Sequence, residues 1–343
     1  MLSGLDLTCQ VQTYTMRRCL RGILLLIVAV AVAGAGQWAW VPPHPDSADC
    51  RLNHNAAWIG VEWTMQPVSR QAVQRLASNA RMYHLRYLYP FTTYLTAEGT
   101  FNPTYDHAPT FIEAFRTFDS DTLLLAWVGI PLESERRLGI DGWVDLSDVK
   151  TRAHIVAFAA DLITDAGFDG VHLDVETVHD GDPHYLALLE ETRAAIGDGA
   201  VLSVASAYWL PGAVNRLPAV RGYKWNLAYY RQVAARVDQI VTMTYDSVMP
   251  HPALYRLWIR EQARAISRGL AHSNTELLVG ISASRERTLT HRPYAENVAS
   301  GLDGICAYVG GASSDPHIAG VALYAAWEAT EENWQYWACA LGD

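Results

Sequence analysis

Positive charge, cysteine and metal-binding motifs are all scarce in this sequence. Lysine and arginine number 26 against 36 aspartates and glutamates, and the formal net charge is −10. Such an acidic balance disfavours nucleic acid and anionic lipid as partners of the folded part. No CxxC or HExxH pattern occurs, and scattered histidines do not make a metal site. We therefore expect neither a metal nor a cofactor.

Long apolar runs are scarce too, apart from one near the N-terminus. Arg17, Arg18 and Arg21 precede an uninterrupted apolar run over residues 22–36. A basic stretch, an apolar stretch and small residues in this order are typical of a secretory signal peptide. Counted over residues 20–41, the run is also long enough for an uncleaved membrane anchor. Either interpretation predicts a protein that is secreted or membrane-anchored, with its body outside the cytoplasm.

The predicted organisation around this run has four parts. Residues 1–15 have no export character of their own, so Met16 is a candidate start and 1–15 a candidate non-native extension. Residues 16–40 form the signal peptide or anchor. Residues 41–56, with three prolines in VPPHPDSAD, form an extended linker. Residues 57–343 form the folded domain.

The folded part alternates short apolar segments with helical ones. Its composition, with 50% hydrophobic and 18% charged residues over the whole chain, is that of a protein with a sizeable core. We predict eight strands, near Trp58–Trp63, Arg81–Tyr89, Thr122–Val128, Asp169–Glu176, Val201–Ala207, Gln239–Asp246, Leu277–Ser284 and Val321–Trp327. Eight strands alternating with helices predict an α/β fold, a single (β/α)8 TIM barrel. A doubly wound sheet also fits the alternation, but no GxGxxG turn follows the first strand.

Three of the five cysteines lie in the body of the protein. Cys9 and Cys19 precede or adjoin the apolar run, which leaves Cys50, Cys306 and Cys339. Cys50 lies just before the first predicted strand and Cys339 in the last predicted helix. Because a closed barrel brings those elements side by side, we expect a Cys50–Cys339 disulfide.

The segment GFDGVHLDVE, residues 167–176, has the pattern of a short buried strand that ends in acids. Strand side chains alternate faces, so His172, Asp174 and Glu176 point one way and the apolar residues between them the other. At a rise of about 3.3 Å per residue, Asp174 and Glu176 lie about 6.6 Å apart at Cα, close enough for their carboxyls to interact. Three polar groups on one face are costly unless a site uses them. The alternative is a structural ion pair.

Aromatic residues are abundant, with 12 tryptophans and 17 tyrosines, and several lie near predicted strand ends. They include Trp63, Tyr89, Tyr208, Trp209, Tyr245 and Trp327. Catalytic groups of TIM barrels gather at the C-terminal ends of the strands, and sugar rings stack well on aromatic faces. Core packing explains each aromatic residue taken alone. Their concentration at one end favours a carbohydrate cleft.

Taken together, these segments resemble glycoside hydrolase family 18, the chitinase-like barrels. The family's fourth-strand pattern, D-G-x-D-x-D-x-E, is matched by DGVHLDVE. Its sixth-strand M-x-Y-D is matched by MTYD at residues 243–246, and the tryptophan that ends its eighth strand by Trp327. The similarity extends over about residues 57 to 337, in the correct strand order.

The sequence departs from the family pattern in three places. His172 replaces the middle Asp of the fourth strand, and LLLAWVGI stands where the family has a small, Gly-rich third strand. Roughly 36 residues separate the seventh and eighth predicted strands. This length predicts a barrel without the large α+β insertion that deepens many chitinase clefts.

The resemblance implies an exported, retaining glycoside hydrolase that cleaves β-linked N-acetylhexosamine glycans, chitin-like or peptidoglycan-type, by substrate-assisted catalysis. The oligosaccharide or polysaccharide substrate would contain N-acetylglucosamine. Glu176 would be the acid, with a pKa raised by burial and by Asp174. Asp174 would orient the acetamido group, and Tyr245 would hydrogen-bond it. Substrate binding would involve Asp246, Trp327, Met243, His172 and Trp209.

The residues alone leave the nucleophile open. Asp174 lies on the same strand as Glu176 and cannot easily reach the opposite face of a sugar. Asp246 could reach that face from the sixth strand. The resemblance instead implies that the N-acetyl oxygen of the substrate attacks.

His172 has two interpretations. In the first it is a core imidazole hydrogen-bonded to Asp174. In the second a protonated His172 holds Asp174 ionised, so that its replacement changes the pH–rate profile more than binding.

Three functional hypotheses from different classes remain. The first is the hydrolase just described. The second is a non-catalytic, carbohydrate-binding barrel, favoured by the missing middle Asp but not by the retained Glu176. The third is a muramidase-type hydrolase with a D-x-E strand, which does not account for MTYD or Trp327.

Overall fold

Eight parallel strands close into one barrel, in the order in which they occur along the chain. The computed structural model describes residue 50 and residues 52–133, 142–215, 224–310 and 317–342. The strands are β1 (Asn55–Ile59), β2 (Leu85–Tyr94), β3 (Leu123–Pro131), β4 (Gly170–Glu176), β5 (Val201–Ala207), β6 (Gln239–Met243), β7 (Glu276–Ser282) and β8 (Ile318–Tyr324). Because β8 pairs with β1, the sheet has no edge, and the doubly wound alternative is excluded.

Helices connect the strands and cover the outside of the barrel. They are α1 (Glu62–Met65), α2 (Arg70–Met82), α3 (Ala108–Arg116), α4 (Val149–Thr164), α5 (Pro183–Ile196), α6 (Gly212–Asn215), α7 (Leu227–Ala234), α8 (Pro252–Gly269), α9 (Val298–Val309) and α10 (Glu331–Leu341). Side-chain caps set several helix starts; the Asp182 carboxylate, for example, accepts from the first backbone N–H groups of α5. Between β7 and β8, the residues that the structure describes form one helix, α9, and its loops, without a large α+β insertion.

The N-terminal predictions concern residues that the structure does not describe. The predicted signal or anchor segment, residues 16–40, lies wholly outside the described ranges. None of the helices within those ranges is long and apolar enough to cross a bilayer. Strand β1 begins at Asn55, and the buried Cys50 precedes it, so the barrel starts ahead of the predicted boundary at residue 57.

Four strands end earlier than their sequence patterns predict: β1 at Ile59, β6 at Met243, β7 at Ser282 and β8 at Tyr324. Strand β6 ends at Met243, because the chain then bends away, with φ of 57° at Asp246 and 60° at Val248. These positive φ values lie outside the extended region that a strand requires. Strand β8 ends at Tyr324, and Trp327 lies in the 3-10 turn that follows.

Strand β4 divides its side chains between two layers, as predicted. Val171, Leu173 and Val175 are buried in the layer between barrel and helices, and the polar residues alternate with them toward the barrel interior. The start of the motif is structural: Asp169 Oδ2 accepts from the backbone N–H of Leu124 at 2.7 Å and also pairs with Arg116. Asp169 thus ties β3 to β4.

The glycine that begins β4 is required by close packing. A Cβ at Gly170 would lie 2.1 Å from the carbonyl oxygen of Val201 on β5. No side chain fits at that distance, so only glycine allows the two strands to pair in this register.

The predicted Cys50–Cys339 disulfide is wrong. Cys50 is bonded to Cys306 on α9, with 4.9 Å between their Cα atoms, and Cys339 is free and exposed. The reason is the orientation of α10, which buries Trp337 and Leu341, one turn apart. Cys339 lies midway between them in sequence and so on the opposite face of the helix.

The disulfide gives the first prediction. Cys306→Ser should lower the free energy of unfolding by about 2–4 kcal/mol, because the bond closes a long loop in the unfolded chain. Cys339→Ser is the matched control and should leave stability unchanged under non-reducing conditions. Denaturant unfolding of both variants measures the difference. Peptide mapping that recovered a Cys50–Cys339 linkage would contradict the structure.

Candidate functional site

The three polar side chains of β4 rise from the barrel interior to its mouth. His172 is fully buried, Asp174 is half-buried and Glu176, the last residue of the strand, is exposed. All three point inward, as the alternation predicts. Asp174 and Glu176, near the last residue of the strand, lie at the C-terminal end of the barrel, where TIM-barrel active sites form.

Asp174 is held by one indole. Its Oδ2 accepts from Trp127 Nε1 on β3 at 2.9 Å. Among the described residues its Oδ1 is buried and has no hydrogen-bond partner. Burial raises the pKa of Asp174 to about 6, with the hydrogen bond from Trp127 acting in the opposite direction. A buried acceptor of this kind requires a donor from a ligand or solvent.

Two tyrosine rings stack beside this carboxyl group. Tyr245 and Tyr324 lie 5.2 Å apart between ring centroids, with 14° between their planes. Burial raises the pKa of Tyr324 to about 12, and the negative charges of Asp174, Asp246, Glu328 and Glu176 add to this effect. Burial likewise raises the pKa of Tyr245 well above its usual range. Both hydroxyls therefore keep their protons and can donate hydrogen bonds at neutral pH.

Tyr324 was not among the predicted site residues. It ends β8 and also contacts Trp58, Trp127 and Trp327, with centroid distances of 6.0, 6.4 and 5.7 Å. The period-two pattern of ALY could have revealed it, because Ala322 faces the barrel interior and Tyr324 shares its face. The resemblance instead predicted Trp327, three residues further along, as the site residue of this strand.

The aromatic residues form an open cleft on one side of the mouth. It has a volume of about 530 Å³ and is lined by Glu62, Met65, Phe91, Trp127, Tyr324 and Trp327. Trp327 is 48% exposed, so its ring offers a stacking surface. Trp127 belongs to the LLLAWVGI segment, which departs from the family pattern and was not among the predicted site residues.

Other predicted aromatic residues do not form this cleft. Tyr89 is fully buried inside the barrel, and Trp63 packs on Phe111. The backbone of Trp209 is bound by the Gln262 side chain, and its half-buried ring packs on the main core. Met243 is half-buried at the end of β6.

Both interpretations of His172 need correction. Trp58 Nε1 donates to His172 Nε2 at 3.1 Å, and His172 Nδ1 lies 2.8 Å from Ser203 Oγ. Indole N–H only donates, so Nε2 is unprotonated and Nδ1–H donates to the serine. Burial lowers the pKa of His172 to about 3. A neutral imidazole with these partners neither bonds to Asp174 nor supplies it with a positive charge.

The hydrogen bonds continue from His172 toward the opposite end of the barrel. Ser203 donates to Gln239 Oε1 at 2.7 Å, and Gln239 Nε2 donates to Glu276 Oε2 at 3.3 Å. Tyr87 donates to the same carboxylate at 2.9 Å. In each of these hydrogen bonds the donor is the residue nearer Trp58 and the acceptor the residue nearer Glu276. The series of hydrogen bonds therefore runs in a single direction.

The described structure shares its fold with solved glycoside hydrolases. No family model and no curated protein matches the chain. A chitinase from Chromobacterium violaceum superposes with a TM-score of 0.57 at 15% identity, over 85% of this chain and 99% of that one. The Group IV chitinase of Ostrinia furnacalis gives 0.55 at 14%, over 85% and 100%. The spore cortex-lytic enzyme SleL of Bacillus cereus gives 0.56 at 12%, over 85% and 75%. At these identities the similarity shows a common (β/α)8 fold.

Removing the indole donor tests the role of Trp127. In Trp127→Phe we expect the pKa of Asp174 to rise by about one unit, because the ionised form loses its hydrogen bond. Carboxyl 13C NMR titration of labelled aspartate measures this shift. Trp143→Phe is the control, since that indole donates to the Leu95 carbonyl instead. An equal shift in both variants would refute the assignment.

The buried imidazole predicts a loss of stability in acid. An unfolded histidine gains a proton below about pH 6.5, whereas folded His172 gains none until about pH 3. Stability from the depressed pKa is thus lost as pH falls between these values. Between pH 7 and 4.5, His172→Gln should lose about 2 kcal/mol less stability than wild type. Thermal and denaturant unfolding at both pH values measure it, with the exposed His184→Gln as control.

Proposed function

We propose that the protein is a glycoside hydrolase that cleaves β-linked N-acetylhexosamine glycans. The observation that carries the proposal is the buried Oδ1 of Asp174, which lacks a partner among the described residues and lies one inward position below the exposed Glu176. An N-acetyl group brings an amide N–H that suits this acceptor. Glu176 is then placed beside the same sugar, at the barrel mouth.

The proposed reaction is retaining and substrate-assisted. Glu176 protonates the leaving glycosidic oxygen, and the acetamido oxygen of the substrate attacks the anomeric carbon from the opposite face. Asp174 accepts the acetamido N–H, and the Tyr245 hydroxyl donates to the acetamido oxygen. Water then opens the cyclic intermediate, with Glu176 returning as base.

The cleft and the structural comparisons support a chitin-like or peptidoglycan-type substrate. Trp327, Trp127 and Tyr324 present rings on which sugars can stack. The proteins with the same fold carry the names chitinase and spore cortex-lytic enzyme. Asp246, exposed at the same mouth, is proposed to bind substrate.

We also propose that the barrel is exported. The basic residues and the apolar run near the N-terminus match an export signal, either cleaved or retained as an anchor. The Cys50–Cys306 disulfide supports the same proposal, because structural disulfides persist in oxidising compartments.

A carbohydrate-binding barrel without activity is the second candidate. It is favoured by His172, which is neutral and bonded away from Asp174 and stands where the family pattern has an acidic neighbour. Such a protein would keep the cleft and its rings but would not turn substrate over.

The test is hydrolysis of a fluorogenic N-acetylglucosamine oligomer by the domain with its disulfide intact. Glu176→Gln should lower kcat by about 10²–10⁴-fold, since it removes the proton donor. Glu113→Gln, on the exposed face of α3, is the matched control and should keep full activity. Binding without turnover by both wild type and Glu176→Gln would refute the hydrolase and support the binding protein.

Inhibition distinguishes the two nucleophiles. An N-acetylglucosamine thiazoline mimics the cyclic intermediate and should inhibit competitively if the acetamido group attacks. An active enzyme that the thiazoline did not inhibit would point to a carboxylate nucleophile, with Asp246 as the candidate.

A further inference from the structure

Three titratable groups from two loops meet beside the barrel mouth. Asp246 follows β6, and His291 and Glu296 lie in the segment between β7 and α9. His291 Nδ1 lies 3.3 Å from Glu296 Oε2 and 3.6 Å from Asp246 Oδ1. The side chain of Glu296 has no exposed surface and that of His291 is 4% exposed, whereas that of Asp246 is 52% exposed.

The hydrogen bonds around the imidazole define its protonation. His291 Nε2 lies 3.1 Å from the carbonyl oxygen of Ser284. A carbonyl only accepts, so Nε2 carries a proton. Nδ1 then faces two carboxylates, which accept when ionised. Both contacts are satisfied if Nδ1 also carries a proton, which makes His291 an imidazolium.

Glu296 needs that positive charge. Its two oxygens accept from the backbone N–H and the hydroxyl of Ser247 at 3.3 and 3.1 Å, but both donors are neutral. A buried carboxylate without a cation is strongly unfavourable. Within the described ranges, His291 is the cationic group in salt-bridge range of Glu296.

The other charged and titratable groups nearby leave this pairing intact. Tyr255 on α8 faces Glu296, and burial raises its pKa well above the usual range, so it remains neutral. The positive charge of Lys224 favours the ionised form of Asp246, and its ammonium lies 3.9 Å from the centre of the Tyr208 ring. The Arg292 guanidinium donates to the carbonyls of Thr288 and His291 instead of a carboxylate.

We propose that His291 is a positioning residue whose imidazolium, held by the buried Glu296, fixes the exposed carboxylate of Asp246 for substrate binding. Burial alone would lower the pKa of His291, but hydrogen bonds to Glu296 and the Ser284 carbonyl, with the charges of Glu296 and Asp246, raise it overall. Substrate binding therefore weakens as pH rises and the imidazolium loses its proton. Asp246 occupies a left-handed backbone conformation, which makes it dependent on such side-chain support.

The first test does not depend on the proposed function. The imidazole resonances of the labelled domain are titrated by NMR, and His291 is assigned by its loss in His291→Asn. Its midpoint should lie above 6.5 and fall by about one unit or more in Glu296→Gln. Asp246→Asn, at an exposed position, should lower it by a smaller amount and covers the case in which Glu296→Gln does not fold. A midpoint at or below 6.5 in wild type overturns the proposal.

The second test rests on the proposed function and separates binding from chemistry. At pH 6, His291→Asn should raise KM by about tenfold and leave kcat unchanged, and the difference from wild type should vanish above the midpoint. His291→Lys keeps the positive charge and should hold KM low across that range. A purely structural role would instead lower activity equally at every pH. If the wild type shows no turnover, the proposed function fails, whereas the NMR midpoint still decides the protonation of His291.

A metal control completes the experiment. The ligand atoms of Asp246, His291 and Glu296 lie within 4.8 Å of one another, so a divalent cation could replace the proton. Treatment with EDTA should change neither KM nor the NMR titration. Loss of binding on chelation, restored by Zn²⁺ or Mn²⁺, would overturn the proposal.

Discussion

The hydrogen bond from the Trp127 indole to Asp174 is the interaction on which the candidate site depends. It satisfies one carboxylate oxygen and leaves the other buried without a partner among the described residues. A second protein donor would stabilise the ionised form further, but it would occupy the position proposed for the acetamido N–H of the substrate. The stacked Tyr245 and Tyr324 lie beside the same carboxyl group. The site therefore keeps its affinity for a donor at a cost in stability.

His172, one inward position below Asp174 on β4, has the opposite arrangement, because all of its hydrogen-bonding atoms have partners. His172 has both nitrogens satisfied, by Trp58 and Ser203, and is neutral. An aspartate here would place a second carboxylate beneath Asp174 and raise its pKa further. The directed chain from Trp58 to Glu276 instead keeps the barrel interior uncharged until its far end. This arrangement is a different solution from the acidic pair of the family pattern.

Local periodicity predicted those features that depend on neighbouring residues, including the barrel and the inward face of β4. It could not predict partners supplied by distant strands: Trp58 and Ser203 are 114 and 31 residues from His172. The predicted disulfide was wrong because it rested on the position of α10 in the chain and not on which face of the helix is buried. The spacing of Trp337 and Leu341 indicates that buried face. Tyr324 was not predicted because the resemblance assigned this part of the site to Trp327. Strand β8 in fact ends at Tyr324, before that tryptophan.

Asp174 and His291, the two titrating groups of the proposed site, favour substrate binding at opposite ends of the pH range. Asp174, with a pKa raised by burial to about 6, becomes an ionised acceptor only as pH rises. His291, with a pKa raised by Glu296 and Asp246 against the effect of burial, remains a cation only as pH falls. A substrate that needs both an ionised Asp174 and a fixed Asp246 would bind best between the two transitions. The neutral His172 and the protonated tyrosines do not titrate within that interval. The proposed pH range for binding is thus set by two groups. Burial and Trp127 tune the carboxyl group of Asp174 on β4, whereas burial, Glu296, the Ser284 carbonyl and Asp246 tune the imidazole of His291 beyond β7.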